Sequence, residues 1–128
     1  MGRTIIKMEG GSKPVGPYSS GGKGGQVVFS SGQTSLDPKG KVIGIGDVAV
    51  QTVETMKNLV AVLAASGATV DDIVKTTVFL PDMRHFAEMN AAYAKFFPKE
   101  PPARSTIATP LALPELLVEI EAIAVVGD

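Results

Sequence analysis

The spacing of apolar positions changes several times along this chain, and each change marks an element. Thr4–Met8 and Gln26–Ser31 are short runs built on Ile5, Ile6, Val27, Val28 and Phe29, β-branched or aromatic residues bounded by glycine, which predict strands. Residues 10–25 between them are rich in glycine and proline and read as a loop. Leu36-Asp37-Pro38-Lys39-Gly40 has proline and glycine where a tight turn uses them, so with a short strand at Lys41–Ile43 it predicts a hairpin. After Asp47, a good N-cap, Val48, Gln51, Thr52, Thr55, Met56, Leu59, Val60, Leu63 and Ala64 recur at three- and four-residue steps until Ser66-Gly67 stops them. That is the first helix. Ile73–Leu80 is rich in β-branched residues and closed by Pro81, a strand covered on both faces apart from Lys75. Asp82 caps a second helix in which Phe86, Met89, Asn90, Tyr93 and Phe97 share one face, with His85 in its first turn and Pro98 at its end. Arg104–Ala108 and Leu117–Val126 are two late strands joined through Pro110–Pro114.

The resulting order is ββ(β)αβαββ. Two helices cannot cover both faces of a mixed five- to six-stranded sheet, so both lie on one face, giving an α+β two-layer sandwich. In the last strand, alternation places Val118, Ile120, Ala122 and Ala124 under the helices and Glu119, Glu121, Ile123 and Val125 on the other face. Carboxylates mixed with branched apolar residues describe a subunit interface that carries a polar site. Composition sharpens this. At 128 residues the chain makes one domain, 1–128, and its 45% hydrophobic and 20% charged residues leave more apolar surface than a small monomer hides. A mean hydropathy of +0.22 agrees, and a cyclic homo-oligomer with sites at its seams is the expected remedy.

Several chemistries are excluded or disfavoured. No cysteine is present, which removes thiol nucleophiles, thiolate metal sites and disulfides. The one histidine, His85, cannot by itself form a two-histidine metal site, and no GxSxG elbow accompanies it, so no metal and no serine hydrolase triad is expected. Gly21-Gly22-Lys23-Gly24-Gly25 fails the phosphate-loop pattern because Gly24 follows the lysine. Gly44-Ile45-Gly46-Asp47-Val48-Ala49 matches GxGxxA formally, but Asp47 would meet a pyrophosphate with an anion, so it reads as a turn and N-cap. Twelve basic residues against 13 acidic ones give a net charge of −1 with no basic stripe, so nucleic acid is not the expected partner. No uncharged run is long enough to span a bilayer and no signal peptide opens the chain, which points to a cytoplasmic protein.

Four polar residues stand beside glycines or at strand ends: Tyr18 after Gly16-Pro17, Ser31 in Ser31-Gly32-Gln33, Arg104 after Pro101-Pro102-Ala103, and Glu119. Singly each has an ordinary reading as an interface aromatic, a turn former, a surface cation and an exposed carboxylate. Together with their neighbours they form recognisable words. GPYS at Gly16–Ser19, SGQ with LDP after it at Ser31–Pro38, DIVKTTVFLPDM at Asp72–Met83, FAEMNAAYAKFF at Phe86–Phe97, PPARS at Pro101–Ser105 and VEIEAIAV at Val118–Val125 resemble the RidA, or YjgF-type, family of reactive-intermediate deaminases. The resemblance runs from about Gly16 to Val126 in one order.

The resemblance implies a chorismate-mutase-like fold, a homotrimer with sites between subunits, no cofactor, and hydrolysis of 2-enamine/2-imine acids such as 2-iminopropanoate and 2-iminobutanoate to 2-oxo acids and ammonia. Position by position it implies Arg104 as the carboxylate clamp, Glu119 as the proton-transfer group, and Tyr18, Ser31, Gly32, Asn90 and Thr106 as substrate-binding residues. Thr106 replaces a cysteine common in the family, Ser20 a glutamine, and Thr109–Leu113 a stretch that often reads VARLP; these departures bear on substrate range. A bidentate guanidinium fits a planar carboxylate, and an electrophilic imine carbon needs only a placed water and a proton acceptor. Two other classes remain open: a trimer that binds 2-oxo acids without turnover, and a ribonuclease or translation inhibitor. The second is disfavoured by 5% aromatic residues and a single histidine.

Overall fold

A computed structural model describes residues 2–127. Strands β1 (Arg3–Ile6), β2 (Gly21–Gly24), β3 (Val27–Ser30), β4 (Ile73–Leu80), β5 (Ala103–Ala108) and β6 (Glu119–Val125) form one sheet in the order β1-β2-β3-β6-β4-β5. Only β4 and β5 run parallel. Helices α1 (Val48–Ala65) and α2 (Phe86–Ala94) pack together on one face, giving the expected α+β two-layer architecture. Val28 of β3, Val78 and Leu80 of β4 and Ile120, Ala122 and Ala124 of β6 are buried against Met56, Leu59, Leu63 and Met89. Each large side chain so buried stabilises the fold by about 1.5–3 kcal/mol.

α1 follows its local signals. Asp47 accepts a hydrogen bond from the Val50 N–H at 3.1 Å, and the helix ends where Gly67 turns to φ +84° and the Ala68 N–H reaches back to the Leu63 carbonyl at 2.8 Å. Its 18 residues are apolar enough to cross a membrane by composition, but its buried stripe of Met56, Leu59 and Leu63 belongs to the core beneath it. The Gly44–Ala49 segment is the expected turn and cap, with Gly44 and Gly46 both at positive φ.

Five boundaries differ from expectation. Residues 21–24 are not loop but strand β2, paired on both sides by β1 and β3. Glycine there suits the space: a Cβ at Gly21 would lie 3.0 Å from the Phe29 carbonyl oxygen and 3.1 Å from the Val62 side chain. Lys41–Ile43 forms no ladder strand; a single bridge joins Leu36 to Val42, and the Asp37 carboxylate, accepting from the Lys39 and Lys41 N–H groups at 2.8 and 2.9 Å, holds the turn instead. α2 stops at Ala94, because Phe96 and Phe97 bond three residues back at 3.1 and 3.0 Å, tightening the chain ahead of Pro98. Its entry is a 3₁₀ turn, Met83–His85, capped by Asp82, so His85 precedes the helix. β6 starts at Glu119 because the Leu117 N–H is taken by the Gln51 side chain at 2.8 Å rather than by a neighbouring strand.

Candidate functional site

Glu119 heads β6 on the sheet face away from the helices, next to Phe79 of β4 and one strand further from Ile107 of β5. The segment Ser31–Gln33 is pinned beside it. The Gln33 N–H donates to the Ile120 carbonyl at 2.8 Å, and the Ile120 N–H returns the bond at 3.0 Å. Gly32 therefore passes directly over the carboxyl group: a Cβ there would lie 2.8 Å from the Glu119 carboxyl carbon, so only glycine lets the carboxylate rest on the backbone. The Ser31 hydroxyl donates to the Ser19 carbonyl and the Ser31 N–H to the Ser20 carbonyl at 2.8 Å, which ties the Tyr18 loop to the same place. Tyr18 is 50% exposed, its ring resting on Gly16. Tyr18, Ser31, Gly32 and Glu119 line one cavity of about 580 Å³, with Val15, Leu36 and Leu113 among its apolar walls. Partial burial and then the charge of Glu121 raise the Glu119 pKa above the ordinary 4.5. A carboxylate in that condition is a better proton acceptor than a solvated one.

Arg104 belongs to a second cluster. In the β4–β5 register it stands opposite Thr76, and Thr106 stands opposite Val78, so both point to the helix face. Arg104 Nη2 donates to Asn90 Oδ1 at 2.6 Å, and the guanidinium carbon lies 5.6 Å from the centre of the Phe86 ring. Among the described residues no carboxylate pairs with Arg104, leaving a half-buried cation on the edge strand β5. No cluster of three or more His, Asp or Glu side chains that could hold a metal ion occurs among them either.

The expected site residues thus form two groups. Tyr18, Ser31, Gly32 and Glu119 meet in one cavity; Asn90, Arg104 and Thr106 share the helix side of β5 and α2. Within one protomer the groups stand on opposite faces of the sheet, because Glu119 aligns with Ile107, which alternation along β5 places on the face opposite Arg104 and Thr106. Sequence reasoning missed Phe86 as a partner of Arg104. The signal was present: Phe86 and Asn90 are four residues apart, and a polar residue inside an apolar helical stripe marks a place where something polar meets the helix. It also missed Gln51, fully buried, whose amide donates to the Glu115 and Gly44 carbonyls at 2.9 and 3.2 Å and accepts from Leu117, fixing the lead into Glu119.

The profile of the family described as endoribonuclease L-PSP matches residues 10–126. A RutC family protein of Pyrococcus horikoshii is 41% identical over 122 residues, spanning 95% of this chain and 97% of the relative. Among solved structures, the Escherichia coli YjgF gene product superposes with a TM-score of 0.86 at 40% identity, covering 95% of this chain and 98% of that one. Escherichia coli TdcF, solved with bound serine, gives 0.88 at 35% identity, with 97% and 99% covered.

Proposed function

Since this chain belongs to the endoribonuclease L-PSP family, the YjgF/RidA/RutC group, we propose that it hydrolyses 2-enamine/2-imine acids to 2-oxo acids and ammonia, as a cytoplasmic homotrimer with its sites between subunits. One observation carries the reading: a cation without a counter-ion among the described residues and a carboxyl group of raised pKa lie on opposite faces of one sheet, so that each is half of a site. The face that bears Glu119 also exposes Ile5, Phe29, Ile107 and Val125, an apolar surface suited to a second copy of the chain. Arg104 takes the planar carboxylate through two parallel hydrogen bonds. The Glu119 carboxylate takes a proton from water as the oxygen adds to the imine carbon, and returns it to nitrogen; the hydroxyl proton of the resulting carbinolamine then passes to nitrogen as the C–N bond breaks, leaving a 2-oxo acid and ammonia. Serine bound to TdcF is an amino acid carrying the same carboxylate next to a nitrogen-bearing carbon, which supports a ligand of this class.

A pyridoxal-phosphate dehydratase acting on serine or threonine supplies the enamine for the test. The expected result is faster loss of the enamine with the protein present, matched by 2-oxo acid and ammonia. Decay at the spontaneous rate, together with calorimetric binding of 2-oxobutyrate, would leave a binding protein without turnover.

A further inference from the structure

Arg104 is held from below by a residue that the proposed chemistry does not use. Thr76 stands opposite Arg104 in the β4–β5 register, fully buried, and its hydroxyl shares a 2.7 Å hydrogen bond with the hydroxyl of Tyr93. Tyr93 is 4% exposed and its ring lies against Phe97, centroids 4.9 Å apart. The guanidinium carbon of Arg104 sits 4.9 Å from the centre of the Tyr93 ring, nearer than to Phe86 at 5.6 Å. Phe86, Asn90 and Tyr93 occur at i, i+4 and i+7 on α2, so one helix stripe supplies two ring faces and one amide acceptor to one cation.

A ring this close governs the plane of the guanidinium, and a bidentate clamp tolerates only about 10–20° of misalignment. The ring is held in turn at both ends, by Phe97 on its side and by Thr76 at its hydroxyl. Burial first of all raises the Tyr93 pKa above 10.0, against the opposing effects of Thr76 and Arg104, so the phenol stays neutral and its hydroxyl is free to donate to or accept from Thr76. We propose that the Thr76–Tyr93 hydroxyl pair makes Tyr93 a positioning residue, setting the orientation in which Arg104 receives the substrate carboxylate. Tyr93 touches no substrate. It acts through Arg104, and the inference rests on the carboxylate-clamp reading above.

Tyr93→Phe keeps the ring and deletes the hydroxyl, while Thr76→Val keeps the shape and deletes the other partner. Each is expected to raise KM for the imine acid, and Kd for 2-oxobutyrate in calorimetry, about 3–10-fold with kcat nearly unchanged, the size of one lost hydrogen bond. The double variant should be no worse than the poorer single one, because both break the same bond. Arg104→Ala is the control. If it still binds 2-oxobutyrate as the parent does, the clamp reading itself fails. If it loses binding while Tyr93→Phe and Thr76→Val bind as the parent does and change only in melting temperature, the clamp stands and the positioning role is overturned. Should Tyr93→Phe not fold, Thr76→Val decides by the same two constants.

Discussion

At the scale of single residues, the two groups of the site differ in what they demand of a side chain. Arg104 is anchored by ring faces and one amide, an arrangement that uses a flat cation, and in the proposed function its guanidinium fork receives the substrate carboxylate. Lysine would keep the charge but present a single point. Arg104→Lys is therefore expected to lose nearly as much kcat/KM as Arg104→Ala; a lysine variant with more than about half the parental activity would contradict bidentate capture. Glu119 demands a proton equilibrium. Its pKa is raised above 4.5 by burial and by Glu121, so turnover should fall on acidification with a midpoint above that value. Glu121→Gln, by removing the neighbouring charge, should move this midpoint down while leaving turnover at neutral pH largely intact. Glu119→Gln should lower turnover roughly 10²–10⁴-fold at all pH values. Stability carries the opposite sign. A raised folded-state pKa means that the favourable contribution of Glu119 is complete below its unfolded value and is lost as pH rises through the folded one. Glu119→Gln, which cannot ionise, should resist urea better than the parent near about pH 7 and equally near about pH 4.

At the scale of elements, what was legible depended on whether the determinants were local. α1 was readable from end to end because a cap, a 3.6-residue period and a glycine stop all lie within its own segment. β2 was not, since Gly21-Gly22-Lys23-Gly24 has little strand propensity and is made a strand by ladders to β1 and β3 on both sides. The face of Glu119 could be read from alternation along β6, but that of Arg104 needed the β4–β5 register, a pairing of segments separated by α2. Gln51 shows the same limit, as its position in the helical stripe marks it as core and its three hydrogen bonds to residues 44, 115 and 117 are invisible in the sequence. Those bonds satisfy one buried donor and two acceptors. Gln51→Leu should cost about 2–4 kcal/mol in urea unfolding, since the orphaned Leu117 N–H and two carbonyls lose their partner. An unchanged midpoint would mean that other groups satisfy these atoms and that Gln51 does not hold the lead into β6.

At the scale of the whole molecule, the proposed trimer turns on which subunit supplies which group. Arg104 and Glu119 occupy opposite faces of the same sheet, so a site that needs both draws them from two protomers. In a cyclic trimer each seam then takes the clamp from one protomer and the base from its neighbour. This makes an assortment experiment informative. Arg104→Ala and Glu119→Gln should each be inactive alone, one lacking every clamp and the other every base. Unfolded together in equal amounts and refolded, they give mixed trimers in which a seam is whole only when the Glu119→Gln chain supplies the arginine and the Arg104→Ala chain supplies the glutamate. Random assortment meets that condition at about one seam in four, so activity should return to about a quarter of the parental value per protein. A site built within one chain would give none, because no chain in the mixture carries both groups. A monomeric mass in light scattering at micromolar concentration would remove the seam altogether, and recovery of activity from either variant alone would remove its residue from the chemistry.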